Sequence, residues 1–233
     1  MNNLVIKVGG SLLYDDNLEL NINFLNLLKN WYEKYNNEIN KLVIVVGGGK
    51  LSRKLGKTLN NSVSPENVHD VSMQVTQVNA EIVKGYLNVI DAFVPQHLTE
   101  ALDELQRPKK SVIVTGGLKS GWSTDMDAAV FADKLGIKTI YKLSNIDGVY
   151  TADPKLNPEA KKLINITWNE YIETFNINLN ESHIPNNSSP ISVETVVFCK
   201  NKGITYFVSG GKNLLNQSDL ALVFESGTKI SPN

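Results

Sequence analysis

Three apolar runs each end on a glycine pair, and polar side chains gather at that end. "VIKVGGSL" carries Lys7 two residues before Gly9, with Gly10 and Ser11 behind it. "VVGGGKLSRK" holds Gly48 and Gly49 and, one to two helical turns later, Arg53. "VTGGLKSGWSTD" runs from Gly117 through Leu118, Lys119, Ser120, Gly121 and Trp122 to Ser123, Thr124 and Asp125. Glycine permits positive φ and lets backbone N–H groups approach an anion closely. Three such turns meeting at one sheet edge point to a phosphate-rich ligand. A lysine ammonium beside the first turn can follow charge as it moves between oxygens during a transfer. Arginine offers phosphate a planar fork. Ser123 and Thr124 add hydroxyls, and Asp125 reads as the cap of a following helix.

A fourth stretch, "KLSNIDGVYTADPK", brings Asp147, Tyr150 and Asp153. Asp147 before Gly148 is either turn chemistry or a carboxylate that accepts hydrogen bonds from lysines and fixes them in place. Tyr150 can flank a base or ribose, and Asp153 can hold ribose hydroxyls or Mg²⁺. The familiar phosphate motifs are missing. Gly116 and Gly121 have P-loop spacing, but Trp122 follows where a lysine belongs, and no G-x-G-x-x-G follows the first strand.

The elements that must position these residues are short. Continuous apolar runs at 4–8, 41–46, 111–115, 138–144 and 204–209 predict strands buried on both faces of a parallel sheet. Helical spacing is predicted over 18–35, 125–136 and 192–203, the last with Ser192 as N-cap and Gly203 just past its end. Strands alternating with helices give an α/β fold with a mainly parallel sheet, and ligands then bind outside the carboxyl ends of the strands. No linker or repeat interrupts the chain, so a single domain over 1–233 is expected. The polar stretch 176–190 reads as a loop inside it.

Composition narrows the function classes. A net charge of −1 leaves no electrostatic footprint for nucleic acid. One cysteine, Cys199, rules out an internal disulfide and a cysteine metal cluster. His69, His97 and His183 show no metal-ligand spacing and read as surface or packing residues. No apolar run approaches a membrane span, and Met1 leads directly into a strand pattern, so a cytoplasmic protein is expected.

In order and spacing, "IKVGGSL", "VVGGGKLSRKLG", "VTGGLKSGWSTD" and "LSNIDGVYTADPK" resemble the amino acid kinase superfamily. Within it they are most similar to the archaeal-type uridylate (UMP) kinases. The resemblance implies an αβα sandwich without a P-loop. It also implies direct in-line transfer of the γ-phosphoryl group of ATP to UMP with Mg²⁺, and a dimer-based, possibly hexameric homo-oligomer. It implies Lys7 and Asp147 as catalytic residues. Gly9, Gly10, Ser11, Gly49, Arg53, Ser144, Tyr150 and Asp153 fall on the ATP side. Gly48, Asp70 and the 117–124 loop fall on the UMP side. Three positions depart from the family pattern. The aspartate expected ten residues before Asn79 falls on His69, with Asp70 one step later. The arginine expected two before Asn79 is Gln77, and the Asp-Pro that opens the late helix is replaced around Ser192 and Glu194. The alternatives are a kinase of this fold for another small phosphate or carboxylate, and a non-catalytic nucleotide or oxyanion binder.

Overall fold

The computed structural model describes residues 2–60, 62–89, 91–179, 190–215 and 224–232. His183 and most of the 176–190 stretch lie outside the described residues. The strands are β1 (Asn2–Val8), β2 (Ile39–Val46), β3 (Ala92–Phe93), β4 (Ser111–Thr115), β5 (Thr139–Ser144), β6 (Val149–Tyr150), β7 (Lys162–Leu163), β8 (Asn165–Thr167), β9 (Thr205–Gly210) and β10 (Thr228–Ser231). The helices are α1 (Ile22–Tyr35), α2 (Gly49–Leu59), α3 (Pro65–Leu87), α4 (Leu98–Gln106), α5 (Thr124–Lys134), α6 (Trp168–Thr174) and α7 (Val193–Lys202).

Eight strands form one sheet in the order β3-β4-β2-β1-β5-β9-β10-β8, and β6 pairs with β7 apart from it. From β3 to β9 every pairing is parallel; β10 then runs antiparallel to β9. One face is covered by α1 and α3 through Phe24, Leu28, Trp31, Ala80 and Val83. The other is covered by α4, α5, α6 and α7 through Ala101, Phe131, Trp168 and Val196. The result is the αβα sandwich that the resemblance implies, and it has the mainly parallel sheet that the strand pattern predicts. Burial on both faces explains why β1, β2 and β4 read as unbroken apolar runs rather than alternating ones.

One helix boundary differs from the periodicity, and one expected cap makes no cap bond. The segment before α1 forms a bridge between Tyr14 and Leu20, with Leu18 at φ 65, and α1 begins only after Asn21, whose Oδ1 accepts from the Phe24 amide at 3.2 Å. Ser192 stands at the N-cap position of α7, but its hydroxyl makes no cap bond and goes to neighbouring side chains. The long α3, capped by Ser64 with Pro65 behind it, is not visible as an apolar stripe. Thr76, Gln77 and Asn79 interrupt its buried face.

Candidate active site

The glycine turns pack backbone against backbone. A Cβ on Gly10 would overlap the Gly47 carbonyl, and Gly49, at φ +63, stands against Gly10 just as closely. Side chains at either position would force the first two turns apart. Gly9 N–H donates to Leu143 O at 2.8 Å and Gly47 N–H to Val8 O at 2.9 Å, so the ends of β1, β2 and β5 are tied together.

Lys7 lies under this junction. Its Nζ is 3.1 Å from the point where a Cβ on Gly47 would stand, and Thr124 Oγ1 is 3.6 Å from the same point. In the sheet Lys7 is matched with Lys142 of β5, so both side chains leave on the face that α5 covers. Asp125, on the first turn of α5, meets them. Lys142 Nζ lies 2.9 Å from each of its carboxylate oxygens and also donates to Pro190 O at 2.6 Å. All three groups are buried. Burial pushes Lys7 down to about 8; Asp125 opposes this, while the positive charges of Lys142 and Arg53 add to it. Burial also works to raise Asp125, but Lys142 and Lys7 outweigh it and hold its carboxyl below the usual carboxylate range. The site therefore presents an ammonium that is ionised at neutral pH yet weakly solvated, with the Asp125 carboxylate, itself locked by Lys142, as its buried counter-charge.

Asp147 does accept from a lysine, as one of its two readings has it, and that lysine is Lys162 rather than Lys7. Its carboxylate pairs with Lys162 at 2.8 Å and accepts from Tyr150 Oη at 2.8 Å, on an exposed rim. The carboxylate that faces Lys7 is Asp125. Nor does Asp125 cap α5, because Ser123 Oγ takes the Met126 amide instead. The sequence did carry a signal: Lys7 and Lys142 each stand just before the end of neighbouring strands, in "IKVGG" and "YKLSN".

A cavity of about 180 Å³ opens beside the junction. Gly48, Gly49, Arg53, Trp122, Ser123 and Thr124 line it, with Gly117 behind. Of the remaining loop residues, Leu118 turns into the core, and Lys119 sits 4.3 Å over the Trp122 ring. Ser120 Oγ donates to Asp70 Oδ1 at 3.2 Å, and Gly121 takes φ +84 in open space. From α3 it is His69, not the predicted Asp70, that lines the cavity. His69 shares that wall with Ser72, Met73 and Thr76, which follow it three, four and seven positions on along one helix face.

The same helix clamps the turns from behind, which sequence reasoning missed. Asn79 Nδ2 donates to Gly47 O at 2.8 Å, and its Oδ1 accepts from Tyr14 Oη at 2.7 Å. Thr76 Oγ1 accepts the Gly117 amide at 2.6 Å. Gln77 accepts the Gly116 amide at 3.3 Å and donates to Gly117 O at 3.1 Å. Gln77→Leu strips these buried partners from the loop and should lower stability by about 1–3 kcal/mol. A urea titration that returned the wild-type midpoint would remove Gln77 from the clamp.

A second cavity, of about 660 Å³, lies on the other side of the Gly10 turn. Ser11, Ser144 and Asp147 are on its wall, joined by Phe24, Lys212 and Asn213. Tyr150 reaches its rim through Asp147. Asp153 lines neither cavity; its Oδ1 accepts the Lys155 amide at 2.9 Å and closes a turn.

The amino acid kinase family model matches residues 2–209, and the chain belongs to that family. Among its relatives, the uridylate kinase of Thermococcus kodakarensis is 29% identical over 231 residues, covering 98% of this chain and 99% of that one. The uridylate kinase of Sulfurisphaera tokodaii is 31% identical over 178 residues, covering 73% and 75%. The crystal structure of uridylate kinase from Archaeoglobus fulgidus superposes with a TM-score of 0.75 at 25% identity, covering 98% of this chain and all of that one.

Proposed function

We propose that this protein is a UMP kinase that transfers the γ-phosphoryl group of ATP in line to the phosphate of UMP, giving UDP and ADP. The observation that carries the reading is the position of Lys7, under the point where the turn lining one cavity touches the turn lining the other. ATP occupies the larger cavity with its phosphates over Gly9, Gly10 and Ser11. UMP occupies the smaller one with its phosphate toward Gly48, Ser123 and Thr124. An oxygen of the UMP phosphate attacks the γ-phosphorus, and the bond to the β–γ bridging oxygen breaks. Charge grows on the bridging and equatorial oxygens, and the Lys7 ammonium, with Asp125 as its buried counter-charge, lies where it can stabilise that charge. Holding the two phosphates in line supplies much of the remaining rate.

Mg²⁺ enters with ATP and offsets charge on the phosphate oxygens. Among the described residues no group of three or more His, Cys, Asp or Glu could hold a metal, and Mg²⁺ would be carried in with the nucleotide phosphates. One domain carries both substrates, and we read the protein as a cytoplasmic homo-oligomer; among the described residues no helix is long and apolar enough to cross a membrane. The deciding assay is product formation from Mg·ATP with UMP, CMP, dUMP, isopentenyl phosphate and N-acetylglutamate. UMP should be the best acceptor. Product from another acceptor but none from UMP keeps the family and overturns the substrate. No product from any of them makes a nucleotide binder the better reading.

A further inference from the structure

Asp127 is a buried acid that the transfer chemistry leaves unused. It lies in the first turn of α5, fully excluded from solvent, and no donor reaches either carboxylate oxygen in hydrogen-bonding geometry. Its Oδ2 is 3.8 Å from the point where a Cβ on Gly117 would stand, so the carboxyl group is packed against the underside of the 117–124 loop. The Gly116 amide just before that loop and the loop's first amide, Gly117, are taken by Gln77 and Thr76. The next, Leu118 N–H, acts on Asp127 and favours its charged form. Burial outweighs this, the Asp125 charge adds to the effect, and Asp127 is pushed up to about 8.

The other groups around α5 do not neutralise it. Lys7 on β1 and Lys142 on β5 are drawn to Asp125. Tyr206 on β9 and Cys199 on α7 are both held in their neutral forms, first by burial and then by Asp125. β2 presents Val43 and Val45, and α3 presents neutral Met73 and Thr76 toward the loop.

We propose that Asp127 is a positioning residue for the loop that receives the acceptor phosphate, kept as a neutral acid so that no charge stands behind that loop, and that its ionisation weakens acceptor binding while leaving ATP binding alone. This rests on reading 117–124 as the acceptor loop. An ionised Asp127 would face a phosphate dianion across one layer of backbone, and it would pull Leu118 N–H away from the loop's open side.

The test uses calorimetric affinities of the wild type and Asp127→Asn for UMP alone and for ATP alone, from about pH 6.5 to about pH 9.5. Above about pH 7 the UMP phosphate is a dianion, so its own titration is complete. Lys7 titrates in both proteins and cancels in their ratio. Wild-type affinity for UMP should fall by roughly three- to tenfold more than that of Asp127→Asn as pH rises through 8. The ATP curves should superimpose. Thermal stability gives a readout that needs no ligand. Between about pH 4, where an unfolded aspartate ionises, and about pH 8 the folded state binds one proton more than the unfolded state, so stability falls as pH rises. Asp127→Asn should therefore gain in Tm over the wild type progressively across that window and hold the gain above it. Parallel Tm curves would show that Asp127 is not a retained acid. Diverging Tm curves with superimposed UMP curves would show an acid that does not act on the loop. Either result overturns the proposal. A wild type that binds no UMP at any pH overturns the kinase reading itself and the proposal with it. Should Asp127→Asn not fold, Asp127→Ser serves the same comparisons.

Discussion

Lys7→Ala is expected to lower kcat by roughly 10²–10³ while leaving the protein folded, the loss of one preorganised transition-state contact of on the order of 3–4 kcal/mol. The fold should survive because the Asp125 carboxylate keeps Lys142 at 2.9 Å. Linkage supports this. Lys7 is lowered from 10.5 to about 8 in the folded protein. Between those values the unfolded chain binds more protons, so stability rises with pH there. At neutral pH the buried ammonium therefore costs stability, and removing it costs the fold little. The same shift predicts a wild-type kcat that declines as pH rises through about 8 and Lys7 loses its proton. A folded variant within about threefold of wild-type kcat would remove Lys7 from the chemistry, since even a single oxyanion contact is worth far more.

Asp125→Asn should be the most destabilising substitution in the site. It leaves Lys142 and Lys7, both buried, without their shared counter-charge. Breaking a buried pair by removing one partner typically costs about 3–5 kcal/mol. Because Asp125 is held below its ordinary value in the folded state, its stabilising contribution is present above about pH 4 and is lost as pH falls through the lowered value. The variant should lose that part of the wild-type acid transition, as followed by circular dichroism against pH. Turnover should also fall, because Lys7 loses its buried counter-charge. A variant with wild-type stability at pH 7 and an unchanged acid limb would mean that the Lys142–Asp125 pair is exposed in solution.

Most of the scaffold was legible in the chain. The central strands are buried on both faces, which writes them as continuous apolar runs with glycines at the ends where backbones must touch. α5 and α7 carry their own stops at Gly136 and Gly203, both with positive φ. The glycines, Lys7 and the 117–124 loop could be read as a phosphate site because those residue types have few other reasons to recur at three strand ends. α3 could not be found in this way. Its buried face is interrupted by Thr76, Gln77 and Asn79, whose partners are backbone atoms of the turns at 47 and 116–117 rather than other helices.

By itself, then, the sequence determined the sheet, the edge at which its glycine turns gather and the lysine that stands beside them, because these follow from local periodicity and from glycine's missing side chain. Tertiary structure alone decided which carboxylate supplies that lysine's counter-charge. Asp125 and Asp147 are both acids close to a strand end, and local sequence supports either. The parallel register of β1 with β5 sets Lys7 beside Lys142, and α5 crosses that same face, so Asp125 is buried between two ammonium groups. Asp147 lies past the end of β5, where Lys162 and Tyr150 reach it from the rim. Which of His69 and Asp70 lines the smaller cavity was decided in the same way, by the rotation of α3 about its axis, which the packing of its distant apolar residues fixes.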